Sequence, residues 1–580
     1  MKAIDRIATL SVAALLAFTG SAFGGSKVSS DMPVATATGT VDVIVQYKSF
    51  AARNTNALAH AGRIRRHFQS IPATHMTVSA DALRALASNP AVAYVTPDRP
   101  ITGLVDVTTE SADAGALWNE GQDGTGVGIA VIDSGVALKH DLATADGTQS
   151  RVVFSKSFVT GLDASDQFGH GTHVAGILAA NGAESSGENF TQTFKGVAPN
   201  ANIINLRVLD ANGNGKESDV IAAIDEAIAL KDTYNIRVIN LSLGHPVFES
   251  FQLDPLCQAV EAAWKAGITV VVAAGNQGRD NSIGTMGYAS INSPGNDPYV
   301  ITVGAMNAKG TPWRNDDIIT SYSSKGPTLL DHVVKPDLVA PGNNVVSLLA
   351  SPDCTIATKY PDTLIPNATF EKSGRGMSTE YFKLSGTSMA TPVVSAAAAL
   401  MIQQDPTLSP DSIKARLMKT ASKNLARYST ARDGHGRGSF ETQQDLFSVG
   451  AGYVDVQAAL ENHDTVDFQA LSPVAHYNAQ NQTVTLESAD AIIWGESAVN
   501  ANAIVWGESP IWSNAVVWGE HVGGDAITWG NAVVWGESTQ PGFAVVWGEA
   551  VVWGEAVVWG EHGVGGNALI WGSSLNDGDR

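Results

Sequence analysis

The hydrophobic pattern near the N-terminus predicts a small mixed module. Short apolar or alternating segments predict strands at 41–47, 75–79 and 91–98. Between the last two strands, Ser79 is placed to cap a helix that Asn89 and Pro90 would end. These elements indicate an α+β module, which a Ser/Thr/Ala-rich linker at 25–40 precedes.

From about residue 125 the pattern changes to continuous apolar runs rich in Val and Ile. These runs alternate with helical segments, which indicates an α/β fold with a parallel central sheet and helices on both faces. Strands are predicted at 126–133, 201–210, 236–243 and 268–276, and helices at 218–230, 255–267, 391–404 and 409–421. We place this domain at 110–460, with residues 450–460 as its closing element.

A third pattern follows a polar connector at 461–485. Residues 486–572 repeat an apolar-apolar-Trp-Gly-polar unit, whose tryptophans recur every six, eleven or twelve residues from Trp494 to Trp571. Recurrent glycine and β-branched residues argue against a helix. We predict a β-rich repeat tail, either extended with its tryptophans on one face or stacked as a solenoid. A poorly ordered low-complexity tail is the alternative.

The N-terminus has the pattern of a secretory signal peptide at residues 1–24. Lys2 and Arg6 precede an apolar run from Ile7 to Phe18, and small residues follow. This run is too short for a spanning helix, and we predict no transmembrane segment elsewhere. We therefore expect a secreted or extracellular protein, either free or associated with the cell surface. The net charge of −21 argues against nucleic-acid and anionic-membrane partners.

The two cysteines, Cys257 and Cys354, are far apart in the sequence. In an exported protein they could form one disulfide or remain two buried thiols, and the sequence leaves both open. Their spacing is not that of metal ligands.

Three candidate catalytic residues fall at predicted strand ends or helix starts, where reactive groups lie in such sheets. They are Asp133 at the end of "GIAVID", His170 in "FGHGTHVAG" and Ser388 in "SGTSMATP". A serine nucleophile needs a base to take its proton, and an aspartate can orient that base, so the set suits acyl transfer. A helix N-terminus at Ser388 would add a dipole and a backbone N–H for the oxyanion.

The order Asp–His–Ser in "VIDSGV", "GHGTHVAG" and "GTSMATP" resembles the subtilisin-like serine proteases, or subtilases. The resemblance covers most of 110–460. It implies a serine endopeptidase that needs no cofactor for its chemistry, with Asp133, His170 and Ser388 as the triad. It also implies that Asn276, in "VVAAGNQG", is a side-chain donor to the oxyanion.

The same resemblance implies how protein or peptide substrates bind. "NLSLG" looks like the backbone strip that pairs with an extended peptide, and "AAGN" flanks the pocket for the side chain before the scissile bond. A broad preference for apolar or aromatic side chains is expected there. The substrate-binding residues are then Ser242, Leu243, Gly244, Ala274 and Gly275.

Residues 25–103 hold a module that resembles the inhibitor-like propeptide of the family. The resemblance implies a self-processing zymogen whose own propeptide is an intramolecular inhibitor. The sequence does not give the cleavage site.

Three features leave details of the resemblance open. His173 is the second histidine of "HGTH", which is not catalytic in the family, so we expect it to pack within a helix. Asp141 matches a position that often binds structural calcium, but the loop at 180–196 is longer than the usual calcium loop. About forty residues separate "APG" (340–342) from "SGTSMATP", where the family often has fewer, and this insertion is expected to overhang the cleft.

The repeats contain no Ser/His/Asp constellation, so we predict a structural, adhesive or secretion-related appendage rather than the catalyst. The leading hypothesis is a secreted endopeptidase. The alternative is a non-catalytic surface or carbohydrate-binding protein that acts through its Trp-rich repeats.

Overall fold

The fold is described from a computed structural model. It describes residues 27–478 except 30, 33–39, 55–61, 104–117, 119–120, 283, 312–313, 427 and 433–438, and beyond 478 only the backbone of short strands. The predicted signal peptide at 1–24 lies outside the described residues.

The N-terminal module is a four-stranded antiparallel sheet with two helices. Its elements are β1 (Thr40–Tyr47), α1 (Phe50–Arg53), β2 (Gly62–His67), β3 (Ala73–Ser79), α2 (Ala80–Ala87) and β4 (Val92–Pro97), and the short strand β5 (Pro100–Gly103) follows them. The strand order is β2-β3-β1-β4. Ser79 caps α2 by accepting a hydrogen bond from the Ala82 N–H, as predicted, and Leu86 of α2 packs with Met76 in a small core.

The large domain contains fifteen described strands and nine described α-helices, arranged around one large sheet. The strands are β6 (Gly128–Asp133), β7 (Val152–Ser157), β8 (Asn202–Arg207), β9 (Asn214–Lys216), β10 (Ile236–Leu241), β11 (Leu243–Gly244), β12 (Thr269–Ala273), β13 (Ile301–Asn307), β14 (Ile318–Ile319), β15 (Leu338–Pro341), β16 (Val345–Leu348), β17 (Leu364–Pro366), β18 (Met377–Leu384), β19 (Tyr428–Arg432) and β20 (Ser439–Gln443). The helices are α3 (His170–Ala179), α4 (Glu217–Ala229), α5 (Lys231–Tyr234), α6 (Pro255–Lys265), α7 (Thr355–Lys359), α8 (Thr387–Gln404), α9 (Pro410–Thr420), α10 (Leu446–Val449) and α11 (Val456–Glu461).

The central sheet has the order β14-β13-β12-β10-β6-β8-β7, with β15 beside β13. Every pairing in it is parallel except that of β14 with β13. All residues of β6 and β12 are buried, because two pairs of helices pack on these strands. Helices α3 and α8 form one pair, and α4 and α6 form the other. Burial on both faces explains why these strands are continuous apolar runs in the sequence.

The first part of the predicted connector packs on the large domain. Ala470 and Ala475 are buried, and the Ser472 hydroxyl donates a hydrogen bond to Asp337 Oδ1 at 2.5 Å. The Val334 N–H donates to the Pro473 carbonyl at 2.8 Å. This part of the chain therefore contributes contacts to the domain.

The C-terminal region contains short described strands. These are β21 (Val474–Asn478), β22 (Thr483–Glu487), β23 (Ala491–Ile492), β24 (Ala503–Ile504), β25 (Ala515–Trp518), β26 (Ala526–Thr528), β27 (Ala532–Trp535), β28 (Gly542–Trp547), β29 (Ala550–Val552), β30 (Gly554–Val558) and β31 (Leu569–Ile570). Some pairs run parallel in repeat register, as where Trp518 lies opposite Trp535. The side chains that would separate the extended and solenoid alternatives lie outside the described residues.

Candidate active site

A buried aspartate–histidine pair lies where the central sheet meets α3. Asp133 is the last residue of β6 and His170 is the first residue of α3. His170 Nδ1 lies 2.7 Å from Asp133 Oδ1 and 2.9 Å from Oδ2. A hydrogen bond from Nδ1–H to the carboxylate fixes the ring and its tautomer, which leaves Nε2 to serve as a base.

Two residues that the sequence analysis did not select hold this pair in place. Asp166 accepts hydrogen bonds from the Gly169 and Thr172 N–H groups, at 2.7 and 2.9 Å, and so caps the start of α3. The Ser134 hydroxyl donates to Asp166 at 2.8 Å, and its oxygen accepts from the Gly171 N–H. Burial raises the pKa of Asp166, although these hydrogen bonds oppose the change. An acidic residue just before a predicted helix was the available sequence signal.

Ser388 lies in the first turn of α8, which begins at Thr387 rather than at the predicted residue 391. The Ser388 hydroxyl donates to the Ser242 carbonyl at 3.1 Å, and the Ser242 hydroxyl donates to the Ser388 carbonyl at 2.8 Å. Pro392 has no N–H to offer that carbonyl within the helix, so Ser242 supplies the missing donor. The candidate nucleophile is thereby joined to the strip next to β11.

Asn276 lies beside the same turn. Its side-chain oxygen accepts hydrogen bonds from the Thr387 N–H at 3.0 Å and from the Thr387 hydroxyl at 3.1 Å. The buried Nδ2 group of Asn276 donates no hydrogen bond within the described part of the chain. A fixed amide with an unused donor next to Ser388 suits the stabilisation of a developing oxyanion.

Comparisons with known proteins agree with this geometry. The sequence model of the subtilase family (peptidase S8) matches residues 124–447. The chain belongs to the subtilase family. It is 37% identical to the serine protease AprX of Bacillus subtilis over 370 residues, which are 62% of this chain and 76% of AprX. It is 33% identical to subtilisin E of the same organism over 363 residues, which are 62% of this chain and 78% of subtilisin E.

A solved structure shows the same fold. Fervidolysin from Fervidobacterium pennivorans superposes with a TM-score of 0.53 at 22% identity, over 76% of this chain and 64% of fervidolysin. The predicted subtilisin-like α/β fold is thus confirmed, and the chain is a subtilisin-like serine endopeptidase. No helix among the described residues is long and apolar enough to cross a membrane.

The predicted substrate strip of this subtilase is paired with the chain's own β5. Leu243 lies opposite Gly103 and Gly244 opposite Thr102, in an antiparallel ladder. On its other edge β5 pairs with β9, where Ile101 lies opposite Gly215. A Cβ at position 244 would lie 2.6 Å from the Ser293 carbonyl oxygen, which explains why a glycine stands there.

The other predicted substrate residues, Ala274 and Gly275, follow β12. The Ala274 N–H donates to the Val303 carbonyl at 3.0 Å, and the Gly275 N–H donates to the Thr387 hydroxyl at 3.2 Å. Gly275 has a φ of 110°, a backbone conformation that favours glycine. These contacts fix the turn that carries Asn276 beside Ser388.

His173 packs inside the domain, in accordance with the expectation. It is fully buried in α3 and donates from Nε2 to the Val345 carbonyl at 2.8 Å. Burial lowers the pKa of His173 to about 3. The two cysteines, Cys257 and Cys354, are buried free thiols, so the structure contains the second of the two arrangements that the sequence left open.

The surroundings of Asp141 do not fit a calcium ion. Asp141 Oδ1 accepts a hydrogen bond from the Glu184 N–H at 2.7 Å, and Oδ2 accepts from the Tyr381 hydroxyl at 2.6 Å. The Arg151 guanidinium donates to the Asp141 carbonyl at 2.8 Å. Calcium needs several oxygen ligands, whereas hydrogen-bond donors surround this carboxylate.

Proposed function

We propose that this subtilase hydrolyses peptide bonds through Asp133, His170 and Ser388, by way of an acyl-enzyme. The observation that carries the proposal is the buried hydrogen bond from His170 Nδ1 to Asp133, at 2.7 Å. It sets the tautomer in which Nε2 can take the proton of a serine hydroxyl. Helices α3 and α8, which begin at His170 and Thr387, pack against each other.

In the first step, an extended peptide pairs with the strip at Ser242, Leu243 and Gly244. Ser388 Oγ attacks the carbonyl carbon while His170 Nε2 takes the hydroxyl proton, and Asp133 stabilises the imidazolium. The oxyanion accepts hydrogen bonds from Asn276 Nδ2 and the Ser388 N–H.

In the second step, the C–N bond breaks, and the amine leaves with the proton from His170. Water then attacks the acyl-enzyme with His170 again as the base, which releases the acid and restores the Ser388 hydroxyl. No metal or cofactor takes part in these steps.

We further propose that the chain is made as an exported zymogen that processes itself. The support is the position of β5, which lies between β9 and β11 where an extended substrate would pair. While the N-terminal module remains attached, the chain occupies its own cleft. Removal of the module would open it.

A fluorophosphonate probe on the full-length protein tests the catalytic role of Ser388. The wild type should be labelled, whereas Ser388→Ala should remain unlabelled and lose about 10⁶-fold in kcat on peptides, as triad knockouts do. Ser388→Ala should also retain its N-terminal module uncut.

Ser395→Ala is the matched control, because Ser395 lies in the same helix and donates to Asn240 Oδ1 at 2.9 Å. It should keep its labelling. Absence of labelling in the wild type would instead support a non-catalytic protein that acts through its repeats.

A further inference from the structure

Arg99 is a buried arginine between the N-terminal module and the large domain. It lies just before β5, and its side chain is 2% exposed. Its Nε donates to Asp31 Oδ2 at 3.0 Å, and its Nη2 donates to Glu249 and, at 3.1 Å, to the Ser29 hydroxyl. The guanidinium therefore joins residues of the module to residues of the domain.

On the domain side, the guanidinium enters a buried acidic pocket, which we define by five residues. Phe248 forms an aromatic wall, since its ring centroid lies 5.2 Å from Arg99 Cζ. The side chains of Glu217, His245 and Asp254 each have a nitrogen or oxygen atom within 4.8 Å of the other two. The residues of the acidic pocket are Glu217, His245, Glu249 and Asp254, which are buried, and Phe248, which is 40% exposed.

Two carboxylates of the acidic pocket accept no side-chain or backbone hydrogen bond from the described residues of the large domain. Glu217 is fully buried, and neither of its oxygens accepts a hydrogen bond from the described residues. Its ion-pair partner is Arg99, with Nη1 at 3.6 Å. Glu249 Oε1 is likewise without a donor among those residues. Buried carboxylates without donors are costly, so the pocket is incomplete without a cation.

Asp254 differs from these two carboxylates. Its Oδ1 accepts from the Leu256 and Cys257 N–H groups and caps α6, and its Oδ2 accepts from the Ser293 hydroxyl at 2.7 Å. Since these oxygens are already used, the pocket is a poor divalent-metal site. The aromatic face of Phe248 instead suits a planar guanidinium.

The position of the pocket connects it to peptide binding. Glu217 directly follows β9, and residues 245–254 directly follow β11. These are the two strands between which β5 lies. Any peptide that lies as β5 does would bring the residue before its paired segment to the acidic pocket.

We propose that the acidic pocket is a recognition site for an arginine side chain of an extended peptide. In the uncut chain the arginine is Arg99. After processing, the arginine is supplied by a substrate, at the residue before the segment that pairs in the place of β5. This second part rests on the proposed function.

Peptide cleavage tests the recognition. The wild-type protein, after its own processing, is given internally quenched peptides of sequence 95–110, with Arg, Lys or Gln at the position of Arg99. We expect kcat/KM to be at least about tenfold higher for Arg than for Gln, the scale of one charge-assisted hydrogen bond. Lys should lie between them, because it keeps the charge but loses the planar fork.

The variant Glu249→Gln should reduce this Arg/Gln ratio to less than about threefold. Asp219→Asn is the control, because Asp219 is an acidic residue of α4 outside the acidic pocket that pairs with Arg66 at 3.6 Å, and it should keep the ratio. Equal cleavage of the Arg and Gln peptides by the wild type would overturn the inference and leave the proposed function intact. If no peptide is cleaved, the proposed function fails instead.

Thermal unfolding of the full-length Ser388→Ala protein tests the pocket without catalysis. Arg99→Gln should lower Tm clearly when Glu249 is present and much less in the Glu249→Gln background. The difference between the two shifts measures the coupling of the two side chains. Equal shifts in both backgrounds would overturn the inference, whatever the peptides show.

Discussion

The Asp133–His170 pair and the acidic pocket both bury carboxylates beside a basic group, but they differ in where that group comes from. Asp133 and His170 both lie within residues 124–447, which the subtilase family model matches. The guanidinium of the acidic pocket comes from Arg99, outside that range. Loss of the N-terminal module would leave the pair intact and deprive the pocket of its partner.

The two sites also differ in the hydrogen bonds that their carboxylates accept. Asp133 accepts from His170 and, at 2.7 Å, from the Ser134 N–H, so the domain itself satisfies this carboxylate. Glu217 accepts no hydrogen bond from the described residues. Burial raises the pKa of Glu217 well above its usual range, and Arg99 offsets only part of that change. At Glu217, the carboxylate that the domain leaves without a hydrogen bond is the one that faces Arg99 of the N-terminal module.

After the loss of the nucleophile in Ser388→Ala, the next largest effect should come from Asn276, whose buried Nδ2 donates no hydrogen bond to the described residues. If the oxyanion is its partner, Asn276→Ala should lower kcat by about 10²–10³-fold and change KM little. Peptide kinetics measure this split. The variant should still react slowly with the fluorophosphonate probe, and a loss below about threefold would show that Asn276 only holds Thr387.

Truncation tests whether the catalytic domain is complete without the repeats. A chain ending after residue 478 should cleave small peptides within about threefold of full length, because the repeats supply none of the proposed catalytic groups. A chain ending after residue 470 should lose about 3–6 °C in Tm, because it lacks several buried hydrogen bonds.

The lost contacts are specific. Ser472 donates to Asp337, accepts from Lys414 Nζ at 2.9 Å, and lies beside the bond between Val334 and Pro473. Ser472→Ala in the full-length chain should reproduce part of the loss. Severe inactivation of the 478 truncation, with its domain still folded, would contradict the separation of catalyst and appendage.

Local patterns predicted most of the fold. The runs ending at Asp133 and near Ala273 are strands, because burial on both faces demands continuous apolar residues. The start of α8 was placed four residues late, because Pro392 sits well inside the helix while the Ser242 hydroxyl replaces the missing donor.

The acidic pocket could not be predicted from local pattern. The charges that meet there come from Glu217 and Glu249 of the pocket and from Asp31 and Arg99 of the N-terminal module, which are far apart in the sequence and meet only when the module docks. No periodicity relates them, and each one alone has the pattern of a solvated surface charge. Whether Cys257 and Cys354 form a disulfide likewise depends on where the fold places them, and in the structure both are free thiols.

The smallest predicted effect concerns the pH dependence of the acidic pocket. Burial raises the folded-state pKa of Glu217 above its ordinary value of 4.5, so above that pH the folded chain holds a proton that the unfolded chain has lost. The contribution of this group to stability is therefore fully present below about pH 4.5 and is lost as pH rises through the folded pKa.

In the full-length Ser388→Ala protein, Glu217→Gln should leave Tm nearly unchanged at about pH 4 and raise it by about 1–2 °C at about pH 8. Glu226→Gln is the control, because Glu226 is a partly exposed residue of α4 that pairs with Lys156 at 2.7 Å. The difference in Tm between Glu226→Gln and its parent should not increase from about pH 4 to about pH 8. If the difference in Tm between Glu217→Gln and its parent is the same at both pH values, burial does not raise the cost of ionising Glu217. The contrast between the self-sufficient Asp133–His170 pair and a pocket that lacks its own cation would then fail.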